Sequence, residues 1–99
     1  MDIGAYFFST AYSIDVAELA VELEQRGFES LLVPEHTHIP ASRKTEWPGG
    51  GDLPKEYYHT YDPFVALSFA AGATRKLKIG TGICLIPQRD PIVTAKSVA

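Results

Sequence analysis

Four consecutive residues, Glu35, His36, Thr37 and His38, hold the densest chemistry in the sequence. They follow directly on Ser30 to Pro34, SLLVP, a continuous apolar run that is too short for a helix and is expected to be a strand. An imidazole at a strand end suits proton transfer, because its ordinary pKa of about 6.5 lies close to neutral pH. A neighbouring carboxylate can orient it or share the proton. In parallel α/β folds the carboxyl ends of strands are where sites assemble, which gives His36 and Glu35 more weight here than on a helix surface. The plainer alternative is a solvated polar loop.

His36 and His38 are two apart, and on an extended segment both would point the same way and could share a zinc-like ion. Metal-dependent barrel hydrolases carry such a pair after the first strand. Here it follows the second, and no third ligand is placed to join it.

The second candidate stretch is Leu77 to Pro87, LKIGTGICLIP, expected to be a buried parallel strand whose far end forms a floor for a flat ligand. Gly80 and Gly82 remove side chains where something must approach the backbone, or where the chain bulges purely for packing. Cys84, the only cysteine, cannot form an internal disulfide and is expected to be a buried small hydrophobe rather than a nucleophile.

The elements that must position these residues follow a regular rhythm. Ile3 to Phe8 is apolar on both faces, as in a strand covered on both sides or lining a barrel. A helix then opens with Ser13 or Asp15 as N-cap, and Val16, Leu19, Ala20 and Leu23 form one apolar stripe ended by Gly27. Ile39 to Tyr61 reads as a long irregular loop, rich in proline, glycine and aromatics, of the kind that forms lids or binding loops. Trp47 and His59 are further candidates within it, although its aromatics suit anchoring on a rim. Asp62-Pro63 opens a second helix, with Phe64, Leu67, Ser68, Ala71 and Thr74 along one side and Arg75 and Lys76 at its end. Asp90-Pro91 opens a third. Strand, helix, strand, helix, strand, helix implies a parallel sheet in a doubly wound fold or a (β/α)8 barrel. A dinucleotide-binding fold would want Gly-x-Gly-x-x-Gly after strand one, where this chain has Phe8-Ser9-Thr10-Ala11.

Composition narrows the function classes. With 99 residues, 45% hydrophobic and 21% charged, the chain is material for one domain at most. A net charge of -3 gives no basic stripe for nucleic acid or an anionic membrane. No apolar run reaches the ~20 residues that span a bilayer, and no signal peptide is visible, so a cytoplasmic protein acting on a small molecule is expected.

Gly27-Phe28-Glu29-Ser30 leading to Val33-Pro34-Glu35-His36, then Asp62-Pro63-Phe64, Ala71 and Thr74-Arg75, then Leu77 to Gly82, then Asp90-Pro91 and Ala95-Lys96 form an ordered pattern over the chain. In order and spacing it resembles the N-terminal portion of the luciferase-like monooxygenase superfamily, and is most similar to the branch dependent on the deazaflavin coenzyme F420. The resemblance implies that residues 1–99 are the first three β-strands and connecting helices of a (β/α)8 TIM barrel. It implies F420 at the strand ends, with FMN as the alternative cofactor, and contacts from Glu35, His36, Gly82 and Ile83. It further implies a cis peptide at Gly82-Ile83 that presses Ile83 against the ring, His36 as the acid/base with Glu35 orienting it, and an intact enzyme that pairs as a homodimer. A complete barrel takes about 250 residues, so the chain is expected to be part of a larger enzyme and inactive alone.

Overall fold

A computed structural model describes residues 1–99. Its elements are β1 (Gly4–Tyr6), α1 (Val16–Gln25), β2 (Ser30–Val33), α2 (Lys55–His59), α3 (Pro63–Ala73), β3 (Lys78–Thr81), a 3-10 turn (Ile86–Gln88) and α4 (Pro91–Val98). The three strands form one parallel sheet in the order β1-β2-β3. Ala5 stands beside Leu31 and Leu31 beside Ile79, while Tyr6, Leu32 and Gly80 make the next row. The strands thus succeed one another in chain order, and α1 and α3 pack together on one face. That progressive winding is the expected start of a (β/α)8 barrel, and differs from the reversal of strand order that defines a doubly wound sheet.

The expected caps form. Asp15 accepts the N–H groups of Ala17 at 2.9 Å and Glu18 at 3.2 Å, which fixes the start of α1. Gly27, at φ 77°, ends it in the left-handed region, with the Phe28 N–H returning to the Leu23 carbonyl. Val16, Ala20 and Leu23 of α1 meet Leu31 of β2, Ala66 and Ala70 of α3, and Leu77, with Ala5, Phe7, Leu19 and Phe28 around them. This core covers one face of the sheet. The other face, with Tyr6 50% exposed, has no such cover.

Four expectations are corrected. The third strand stops at Thr81 instead of reaching Pro87, because Gly82 N–H to the Val33 carbonyl is the last bond of its ladder. The residues beyond turn away as a loop and a 3-10 turn. α3 ends at Ala73, short of Arg75 and Lys76. The carboxylate of Glu24 instead gathers the backbone N–H groups of Arg75, Lys76 and Leu77 at 2.6–3.2 Å, clasping the α3–β3 turn to the end of α1. The core face of α3 is Ala66, Leu67 and Ala70, with Val65 and Phe69 exposed; of the expected side, Phe64, Leu67, Ser68, Ala71 and Thr74, only Leu67 and Thr74 are buried. A helix apolar all round gives periodicity nothing to select. Finally, the long loop contains α2, too short for a periodic signal.

Candidate functional site

β2 ends at Val33, and its continuation delivers Glu35 and His36 to the carboxyl rim of the sheet, as expected. It then separates them. Glu35 goes under the rim, where its side chain is fully buried. Both of its oxygens are engaged: Oε1 with Arg89 Nε, Oε2 with the Leu85 N–H at 2.6 Å. A second nitrogen of the same guanidinium donates to Asp62 at 2.7 Å, and the guanidinium lies over the Phe64 ring at 4.7 Å. Asp62 also caps α3 through the N–H groups of Phe64 at 2.9 Å and Val65 at 3.2 Å. One buried cation therefore joins the end of β2, the start of α3 and the turn before α4.

Burial acts on both Arg89 and Asp62. It disfavours the charge on Arg89, but the Asp62 and Glu35 carboxylates outweigh that and raise the guanidinium above its ordinary value. Burial raises Asp62, and the hydrogen bonds from Arg89, Val65 and Phe64 bring it net below the ordinary carboxylate value. The expected orienting bond from Glu35 to His36 is absent, since Arg89 and Leu85 take both carboxylate oxygens. A polar recess of about 250 Å3, lined by Glu35, His36, Thr37, Thr60, Asp62 and Arg89, opens above the cluster.

His36 borders this recess and carries its ring onto the aromatic residues of the rim. Its ring lies on Tyr57 with centroids 5.0 Å apart. Tyr57 also meets Phe8 at 4.9 Å and Trp47 at 5.0 Å, and Phe8 meets Tyr6 edge-on at 6.2 Å. The rim above the uncovered sheet face is thus a continuous line of rings from β1, the β2 end and the long loop. Burial lowers the His36 pKa, and the nearby negative charge of Glu35 only partly offsets it, so the imidazole is neutral at neutral pH. Burial likewise raises the Tyr6 phenol, with Tyr57 adding to it.

Gly82 lies at this rim, but the space over it is not bare. A Cβ on Gly82 would stand 2.1 Å from Cε2 of Tyr6, so the ring of β1 rests directly on this backbone. Of the two expectations for this glycine, close approach of another group or a bulge for packing, the group that approaches in this structure is the Tyr6 ring. The Gly82-Ile83 bond is trans, as is every peptide bond of the chain. A cis bond there costs about 3 to 4 kcal/mol, and Ile83, 48% exposed, has no packing that would impose it. Cys84 lies in the loop beyond β3, half-buried rather than within a strand. Burial raises its thiol, with Glu35 adding to the effect, so it stays protonated.

His38 is not brought to the ring line; its Nδ1 is 2.9 Å from the Thr37 hydroxyl. No three His, Cys, Asp or Glu side chains gather where an ion could be held, so the His36/His38 pair acquires no third ligand. His59 faces Tyr12 at 6.0 Å, apart from His36. The residues that sequence reasoning passed over are Arg89, Asp62 and Tyr57. Arg89 stood in a polar turn, Asp62 was read only as a cap, and Tyr57 was one of several loop aromatics; their shared neighbours are tertiary facts.

The model of the luciferase-like monooxygenase family matches residues 9–99. The chain belongs to that family. An uncharacterized protein of Mycobacterium bovis and two uncharacterized proteins from strains of Mycobacterium tuberculosis are each 39% identical to it over 102 residues, covering 100% of this chain. The chain spans 36% of the length of each of these relatives. For a luciferase-like chain the relevant fit is to a flat flavin-type ring. The rings of Tyr6, Phe8, Tyr57 and His36 offer stacking and edge contacts to such a group. No helix is long and apolar enough to cross a membrane.

Proposed function

We propose that the intact protein is an oxidoreductase that holds a flavin-type cofactor at the carboxyl rim of β1, β2 and β3, with coenzyme F420 as that cofactor. The observation that carries this reading is the ring line at the rim, with a neutral imidazole at its end, 5.0 Å from Tyr57. Tyr57, Tyr6 and Ile83 would bound the ring, and His36 would face its reacting edge. When bound, F420 supplies hydride transfer to or from an organic small molecule. The neutral His36 nitrogen can accept the proton that leaves the substrate, or donate it in the reverse direction. Glu35 takes no proton from the substrate, because Arg89 and Leu85 occupy both of its oxygens. It is a positioning residue.

FMN is the second reading, favoured by the family's monooxygenase description. Titration of the intact protein with F420 and with FMN, combined with oxygen consumption, separates the two. Hydride exchange with F420 and no oxygen uptake supports the first reading; tight FMN binding with oxygen uptake by its reduced form supports the second. In either case His36→Ala is expected to lower turnover by about 100-fold or more. Unchanged turnover and cofactor affinity would remove His36 from the site.

A further inference from the structure

His36 has no hydrogen bond of its own, yet the residues on both sides of it are held, and by the same short segment. Before it, Glu35 receives the Leu85 N–H at 2.6 Å and the Arg89 guanidinium. After it, the Thr37 hydroxyl donates to Gln88 Oε1 at 2.8 Å. We propose that Leu85 to Arg89, the connection between β3 and α4, is a clamp that fixes the position of the His36 ring, with Arg89 as its principal positioning residue.

Three features support the assignment. Arg89 is 11% exposed and bridges two carboxylates that start from different elements, Glu35 after β2 and Asp62 before α3. The guanidinium does this through two separate nitrogens in a rigid plane, a geometry that the single ammonium of lysine cannot reproduce. The Phe64 ring beneath it restricts the plane further. Glu35 is held firmly in the interior and Thr37 more weakly by an exposed hydrogen bond, so the backbone between them is tied at both ends. The His36 ring, carried between these two anchors, lies on Tyr57. The clamp stands on geometry alone; its consequence for binding rests on the proposed contact of His36 with the cofactor.

The test uses the intact protein and the variants Arg89→Lys, Thr37→Val, His36→Ala and His36→Ala/Arg89→Lys. The His36 ring resonance, assigned by its loss in His36→Ala, is followed by NMR without cofactor, and the dissociation constants for F420 and FMN are measured alongside circular dichroism. Arg89→Lys is expected to keep the fold and shift the His36 resonance, with a smaller shift in Thr37→Val. It is also expected to weaken cofactor binding about tenfold when His36 is present and not at all in the His36→Ala background. A His36 resonance unmoved in folded Arg89→Lys overturns the clamp. So does equal weakening in both backgrounds. If Arg89→Lys does not fold, an unmoved resonance in Thr37→Val overturns it instead. Should His36→Ala bind both cofactors as tightly as the parent while Arg89→Lys still shifts the resonance, the clamp is supported and only the cofactor-contact reading fails.

Discussion

Glu35 and His36 are adjacent in sequence and live in different chemical worlds. Below the rim, Glu35 belongs to an ionic cluster in which one guanidinium serves two carboxylates, with the Glu35 side chain fully buried and Asp62 at the edge of solvent. Above it, His36 belongs to a half-open line of neutral rings. The difference teaches that an acid beside an imidazole in sequence is no dyad, because successive residues of an extended chain leave on opposite sides. At this rim one residue of the pair ties the scaffold together and the other lies among aromatic rings.

The comparison breaks first, and most severely, on the ionic side. Arg89→Met leaves the Glu35 charge buried without a cation, and denaturant unfolding of the intact protein is expected to show a loss of about 3–5 kcal/mol. Adding Glu35→Leu to the same chain should restore most of it, because an apolar pair replaces a broken ionic one. A single-variant loss below about 1 kcal/mol would mean that the pair is solvated in solution. Next in size is Gly82→Val, which drives a side chain into the Tyr6 ring and should cost about 1–3 kcal/mol. Tyr6→Ala in the same chain should relieve it; a cost that persists without Tyr6 would point to backbone strain instead.

On the aromatic side the effects are smaller. Tyr57→Ala removes the ring shared by Phe8, Trp47 and His36, with an expected loss of about 1 kcal/mol. Burial is what holds the His36 pKa down, so uncovering its ring should move that pKa up toward the ordinary value in an NMR titration. A downward move would assign the shift to some other group. Smallest, and remote from the rim, is the Glu24 clasp. The backbone N–H groups of Lys76, Leu77 and Arg75 depress its pKa, so its contribution is present above the ordinary carboxylate pKa of about 4.3 and is lost as pH falls through the folded value. Glu24→Gln should therefore flatten the acid limb of the stability curve and change little at pH 7 in slope; an unaltered acid limb would show that the clasp is open in solution.

The strand and helix order was legible because each element carries local punctuation: Asp15 and Gly27 bound α1, Asp62-Pro63 and Asp90-Pro91 open α3 and α4. The carboxyl rim, and with it the place of Glu35 and His36, followed from that order. The ends of β3 and α3 did not, since Ile83 to Ile86 are as apolar as a strand and only the loss of ladder partners stops it. The direction in which α3 packs was hidden by its uniform apolarity. Arg89 was hidden for a different reason: a cation in a polar turn is ordinarily solvated, and its burial needs Asp62 and Glu35, 27 and 54 residues away in the chain. The occupant of Gly82 was hidden likewise, because Tyr6 reaches it from across β2.

A flat cofactor is proposed to lie on the aromatic side of the Glu35-His36 step. A crystal structure of the intact protein with F420 or FMN bound tests it most directly. The ring is expected within about 4 Å of His36, with Glu35 still against Arg89. A ring seated away from His36, or a Glu35 carboxylate turned out to meet it, would contradict the account.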